Sequence, residues 1–187
     1  MKTQARFILA AVIMMMVAPA HAQSNMGIKG GVNFYNLYYP DNSSYSVQPG
    51  FHAGLLWHVH LDNVFAIQPE VMYSLQGAET GNASVHLGYL NVPCLLQLMF
   101  NNGFRLEAGP QLGFLVHGRA DYGGYSEDIR PELEPFDTGL AFGFGFIGHS
   151  GWGFDARYIY GLTDIDRSPD ELRNRGIQLG LFYQFNH

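Results

Sequence analysis

Charge is the scarcest commodity in this 187-residue chain: Asp, Glu, Lys and Arg together make up 14% of it, against roughly 25% in an average soluble domain. A single cysteine, Cys94, excludes an internal disulfide framework and a cysteine zinc cluster. The formal net charge of −6 argues against a nucleic-acid partner, which would want a basic face. Long hydrophobic runs are also missing after the first 20 residues, and mean hydropathy is −0.03, which excludes a bundle of membrane helices. What is abundant is glycine, 23 residues, and aromatic residues, 14% of the chain. That pairing suits strands and tight turns better than helices.

The N-terminus reads as a separate unit. Lys2 and Arg6 precede an apolar run from Phe7 to Ala18, and Ala20-His21-Ala22 has the small-x-small pattern of a cleavage site. A run of this length is too short to span a bilayer, which takes ~20 residues. Residues 1–22 are therefore expected to be a secretory signal peptide, and residues 23–187 a single domain exported from the cytoplasm.

That domain alternates with period two. In the run Phe104 to Val116, the residues Phe104, Leu106, Ala108, Pro110, Leu112, Phe114 and Val116 share one face. Arg105, Glu107, Gly109, Gln111 and Gly113 share the other. A helix would scatter such residues around its circumference, so this is a strand. Similar alternation begins near Ile28, Phe51, Phe65, Leu90, Leu140, Trp152 and Ile177, which makes eight strands. Most would be 10 to 14 residues long. Soluble strands average about 5–6 residues, whereas ~9–11 tilted residues cross a bilayer core. The fold expected is all-β, an eight-stranded antiparallel up-and-down transmembrane β-barrel.

Connections alternate in length. Asp62-Asn63, Asn101-Asn102-Gly103 and His149-Ser150-Gly151 are tight-turn sequences, while 39–48, 77–85, 118–135 and 164–172 read as longer loops. Short turns face the periplasm in outer-membrane barrels, so both termini are expected there. The 118–135 loop is acidic, with Asp121, Glu127, Asp128, Glu132 and Glu134 against Arg119 and Arg130, and reads as a solvated loop.

The large apolar face of the strands is assigned to lipid and the small or polar face to the lumen. A secreted lipocalin-like barrel, with the faces inverted, is the rival. Aromatic residues gather at the strand ends: Phe65, Phe100, Phe104, Trp152 and Phe185 by the short turns, Phe34, Phe51, Tyr73 and Tyr160 toward the loops. Two interfacial girdles would have this distribution. Six charged residues fall on the lumen face: Lys29, Glu70, Arg105, Glu107, Asp155 and Arg157. Buried ions must pair, so an interior ion-pair network is expected, with Arg105 and Glu107 meeting Asp155 and Arg157.

Several segments carry a family resemblance. They are Gly27-Ile28-Lys29-Gly30-Gly31-Val32-Asn33, Pro69-Glu70-Val71-Met72-Tyr73-Ser74, Tyr89-Leu90-Asn91-Val92-Pro93 and Gly109-Pro110-Gln111-Leu112-Gly113. Asp137-Thr138-Gly139 and Ala156-Arg157-Tyr158, followed by Gly161-Leu162-Thr163, complete the set. In this order they resemble the PorT-type outer-membrane β-barrel family of Bacteroidota. The resemblance implies an OmpA/OmpX-like eight-stranded barrel in a Gram-negative outer membrane. It also implies insertion by the barrel-assembly machinery, although Asn186 and His187 follow the last aromatic, Phe185.

Chemistry is weakly marked. His52, His58 and His60 share the lumen face of one strand, and His58-x-His60 has a spacing compatible with a shared metal, but no local carboxylate or cysteine completes a site. Ser74, Ser84 and His86 are the candidates for a rim enzyme, and no spacing singles them out. No cofactor, metal or catalysis is expected. The function expected is a structural or interaction role at the cell envelope. Its partners would be outer-membrane lipid, the assembly machinery and envelope or secretion proteins reached through the outer loops. The alternatives are passage of small solutes or hydrophobic compounds and, behind it, a lipid-modifying enzyme.

Overall fold

A computed structural model describes residues 24–38, 46–80, 83–122, 124–163 and 173–185. The signal-peptide reading of residues 1–22 lies outside these segments, as do the 164–172 loop and most of the 39–48 loop.

Nine strands are present among the described residues: β1 (Ser24–Tyr38), β2 (Ser46–His60), β3 (Phe65–Thr80), β4 (Ala83–Met99), β5 (Phe104–Tyr122), β6 (Tyr125–Asp128), β7 (Phe136–Ile147), β8 (Trp152–Gly161) and β9 (Arg173–Gln184). Eight of them close a ring. Each pairs antiparallel with its chain neighbour, β5 pairs with β7 past the short β6, and β9 returns to β1. The architecture is thus the closed eight-stranded up-and-down barrel expected from the period-two pattern, with β6 added to the outer part of β5.

The strands are longer than the sequence pattern suggested. β3 runs to Thr80 and β4 starts at Ala83, so the segment 77–85 is a strand hairpin rather than a long loop. The segment 118–135 likewise contains the end of β5, all of β6 and a turn of 3-10 helix over Arg130–Glu132. Strand pairing continues there because main-chain groups beyond the barrel still gain from a ladder, and polar side chains do not prevent one. Val116 is an extra residue in β5, since Gly88 pairs with His117 and Tyr89 with Leu115. This bulge reverses the alternation, so Val116, His117 and Arg119 face outward while Gly118 and Ala120 are buried.

The three short turns and both described chain ends lie at one end of the barrel. Gln184 pairs with Gly27 and takes a backbone bond from its N–H to the Gly151 carbonyl at 2.9 Å. Gly103 and Gly151 have φ of 86° and 82°, a left-handed backbone that explains glycine at the ends of Asn-Asn-Gly and His-Ser-Gly. In the β2–β3 turn, Asp62 accepts bonds from the N–H groups of Val64 at 2.7 Å and Phe65 at 2.6 Å. Those two donors hold its carboxyl below the ordinary carboxylate range. A depressed folded-state pKa contributes stability above the unfolded value, and that contribution is lost as pH falls through the folded value. Asp62→Asn is therefore expected to lower the urea midpoint slightly at about pH 7 and not at about pH 3. An equal loss at both pH values would show that the turn owes nothing to the charge.

Candidate functional site

The lumen is filled, and glycine placement explains how. Large lumen side chains lie over glycines of neighbouring strands. A Cβ on Gly153 would collide with the Phe182 ring, one on Gly176 would stand 2.5 Å from Tyr35 Cδ1, and one on Gly180 would stand 2.6 Å from Lys29 Cε. Gly31 and Gly54 make room in the same way for His52 and Met72. The small residues of the inner face are thus sockets for side chains from the next strand.

Apolar clusters sit at different heights in this packing. Leu56, Ile147 and Phe182 pack together toward the short turns, and Tyr35, Leu95, Ala141 and Ile159 pack farther in. Leu87, Tyr89 and Leu115 form a third cluster at the long-hairpin end, covered by Val85, Ile129 and Leu133. Ile129 and Leu133 flank the 3-10 turn after β6, so the acidic loop also folds an apolar edge over the barrel mouth. Most of these inward apolar residues escape a reading of the sequence that assigns only small and polar residues to the lumen. The signal that could have found them is the glycine on the facing strand.

Between the apolar clusters lies a charged layer built by β1, β3, β4, β5 and β8. Arg157 on β8 reaches across the lumen to Glu70 on β3, diametrically opposite in the ring. The contact is bidentate: Nη1 donates to Oε2 at 2.6 Å and Nη2 to Oε1 at 2.7 Å. The same guanidinium donates from Nε to Glu107 Oε1 and from Nη2 to Glu107 Oε2, the latter at 3.3 Å. Lys29 Nζ donates to Asp155 Oδ1 at 2.7 Å and lies 4.0 Å from Glu70 Oε2. Gln68 donates to Glu70 at 2.7 Å and Gln97 to Glu107 at 2.9 Å.

All six charged residues are at most 5% exposed. Three cations face three carboxylates, so the layer is neutral. Neutrality matters because each buried ion costs several kcal/mol to desolvate, and only close, well-oriented partners offset that cost. The structure brings five of the six into one set of ion pairs. Arg105 stands one step away: its Nη1 donates to Gln97 Oε1 at 3.3 Å, and its guanidinium carbon lies 5.5 Å from the centre of the Phe182 ring. Among the described residues Arg105 has no ion pair within 4.0 Å. The expected meeting of Arg105 with Asp155 is not made: Asp155 is taken by Lys29, and Arg105 reaches Glu107 only through the Gln97 amide.

Above this layer the lumen is amide-rich. His52 Nδ1 lies 2.6 Å from Asn33 Oδ1, and Asn33 Nδ2 donates to Ser74 Oγ at 2.9 Å. Ser74 is thus engaged by an asparagine. His86 lies 3.6 Å from Asp121 Oδ2, and the hydroxyl donating to Asp121 belongs to Ser126. His58 and His60 pack edge to face with centroids 4.6 Å apart. Among the described residues, no group of three or more His, Cys, Asp or Glu is arranged to hold a metal.

Outside, the aromatic residues face away from the lumen. Near the short turns Phe104 is in ring contact with Phe100 and Phe144, Phe146 with Phe154, and Tyr183 with both Trp152 and Phe185. Phe65 is exposed at the same end. Phe34, Phe51 and Tyr73 are exposed on the strands toward the long hairpins, and Tyr160 lies 4.7 Å beneath the Arg175 guanidinium carbon. No described helix is long and apolar enough to cross a membrane.

An outward apolar wall around a neutral, packed polar interior is the construction of a membrane barrel. The family described as "Outer membrane protein beta-barrel domain" matches residues 19–167, and the chain belongs to it. Among solved structures, Neisserial surface protein A (NspA) is similar with a TM-score of 0.63 and 13% identity, over 86% of this chain and 97% of that one. Ail, the attachment invasion locus protein of Yersinia pestis, is similar with a TM-score of 0.56 and 19% identity, over 87% and 99%. Ail has also been solved in complex with the heparin analogue sucrose octasulfate, at a TM-score of 0.55 and 20% identity. These likenesses are of fold. The comparison with curated proteins gives no match.

Proposed function

We propose that this outer-membrane protein is an interaction barrel, a rigid body that holds a strand hairpin beyond the membrane for a protein partner. The observation that carries this reading is the edge of β6, which has no strand partner other than β5 among the described residues. Strand β5 has 19 residues, well beyond the ~9–11 that span a bilayer. Its outer part, from Arg119 to Tyr122, pairs with β6, and β6 ends the sheet among the described residues. All four β6 side chains are exposed, and a free edge offers main-chain donors and acceptors to an added strand.

The chemistry of the hairpin narrows the partner. Asp121, Glu127 and Asp128 cluster there, so a basic or strand-forming protein segment fits better than a sulfated polyanion of the kind seen with Ail. The filled, cross-braced lumen opposes the passage reading. Ser74 stands across from His52 in the β2–β3 pairing, but Asn33 lies between them, donating to Ser74 Oγ and holding His52 Nδ1, so no direct serine–histidine pair supports the enzyme reading. The PorT-type relationship, a Bacteroidota source, cleavage after Ala22 and periplasmic termini belong to the same proposal, supported by the quoted motifs and by short turns sharing an end with both described chain ends.

The test is a photo-crosslinking residue placed at Ser126 in living cells. A discrete protein adduct at Ser126, absent when the same residue replaces Leu181 on the barrel wall, is the expected outcome. Planar-bilayer recordings serve as the companion measurement: the intact protein is expected to give no stable open conductance. No adduct together with a steady, solute-selective current would replace the interaction reading with the passage reading.

A further inference from the structure

We propose that the cavity at the short-turn mouth of the barrel binds a small phosphate-type oxyanion, at the end of the protein opposite the β6 edge. The cavity has a volume of about 300 Å3 and is bordered by all three short turns. Its polar lining consists of Arg105, His58, His60, His149, Asn101 and Asn102, together with the amide of Asn63. Among the described residues no carboxylate lines it, although the chain has 16 acidic and 10 basic residues. A donor-rich pocket without a single acid is therefore a local reversal of the protein's overall charge.

Two further observations point to an anion rather than to water alone. Arg105 is the one lumen cation without an ion pair within 4.0 Å among the described residues, because Arg157 and Lys29 engage Glu70, Glu107 and Asp155. Its single side-chain hydrogen bond, to Gln97, points into the charged layer, and it also borders the cavity. His58 and His60 border the same cavity, and the Nδ1 of each is buried with no partner. A phosphate-type oxyanion presents mostly acceptor oxygens, which suits guanidinium, imidazole N–H and amide donors together. A metal ion would instead sit beside the Arg105 charge, and no three-ligand group is present among the described residues to hold it.

The ligand chemistry has two sources, a free phosphate-bearing solute and the headgroup of an inner-leaflet phospholipid. Both can be separated using the full chain, isotope-labelled and folded in micelles of a sugar-headgroup detergent without phosphate. The imidazole resonances of His58, His60 and His149 are followed by NMR while inorganic phosphate is added at constant pH and ionic strength. Saturable shifts of His58 and His60 are expected, with His117 at the other end unmoved. Arg105→Gln is expected to weaken binding by about tenfold or more.

Because Arg105→Gln could disturb folding, the double variant His60→Ala with His149→Ala provides the second reading. Both positions lie outside the ion-pair layer, and loss of saturation at His58 is expected. Spectra in phospholipid nanodiscs then identify the source: resonances at the phosphate-bound positions assign the headgroup, and resonances at the free positions assign a solute. Non-saturating shifts, shifts reproduced by chloride alone, or affinity unchanged in both variants would overturn the proposal.

Discussion

Arg157→Met is expected to cost about 3–5 kcal/mol of barrel stability, the penalty for leaving buried charge without its partner. Arg157 is 3% exposed and engages Glu70 and Glu107 at once, so its removal leaves three carboxylates facing Lys29 and the distant Arg105. The side-chain volume is nearly retained, and the loss is therefore mainly electrostatic. A second substitution makes that argument testable. Adding Glu70→Gln restores neutrality, with two carboxylates and two cations, and is expected to recover a large part of the loss. Unfolding in urea, followed by the heat-modifiable mobility of the folded barrel on a gel, gives both numbers. If the double variant were no more stable than Arg157→Met, the cost would come from lost packing instead of unbalanced charge.

The same layer shows what one chain's sequence carries and what it leaves to the fold. The barrel itself is readable because a membrane barrel imposes two rules at once, alternation and strand length, and Phe104 to Val116 satisfies both without help from any neighbour. Lumen placement of Lys29, Glu70, Glu107 and Arg157 follows from that same parity. Their pairing does not. Register decides it, and Arg157 meets Glu70 from the far side of the barrel only because β3 and β8 lie opposite in a ring of eight. Gln97 displacing the expected Arg105 partner is likewise a matter of register between β4 and β5.

The long hairpins are hidden in the sequence for a different reason. Acidic and polar residues at 118–135 look like solvated loop, yet strand pairing beyond the membrane depends on main-chain groups that the side chains do not advertise. Here β5 simply continues to Tyr122 and turns back as β6. The inward apolar residues Leu56, Leu95 and Phe182 are not marked by alternation within any one strand, because sockets are shared between strands. The mouth cavity combines both effects, since His58, Arg105 and His149 converge from β2, β5 and the β7–β8 turn.

The outward wall yields the second large effect. Leu179 is 44% exposed at the middle of β9, flanked across the strands by Val32 and Ala156. Replacing it with arginine is expected to destabilise the barrel in lipid vesicles by about 2–4 kcal/mol, the cost of a charge near the bilayer midplane. Phe185→Arg, close to the short-turn end, is expected to cost only about 0–1 kcal/mol, because a long cation there reaches headgroups and water. The gradient between the two positions is the decisive quantity. The same wall facing water instead of lipid would tolerate either substitution within about 0.5 kcal/mol, since an exposed arginine in water loses no solvation. Urea titrations of both variants in vesicles of one lipid composition measure the difference directly, and equal, near-zero costs at Leu179 and Phe185 would mean that this wall does not face hydrocarbon. The interior argument leads to the same expectation independently: a lumen already filled by ion pairs and ring-over-glycine sockets has no room to take the outward leucines and phenylalanines as a core, so they must be covered from outside, and in an outer-membrane protein lipid is the cover.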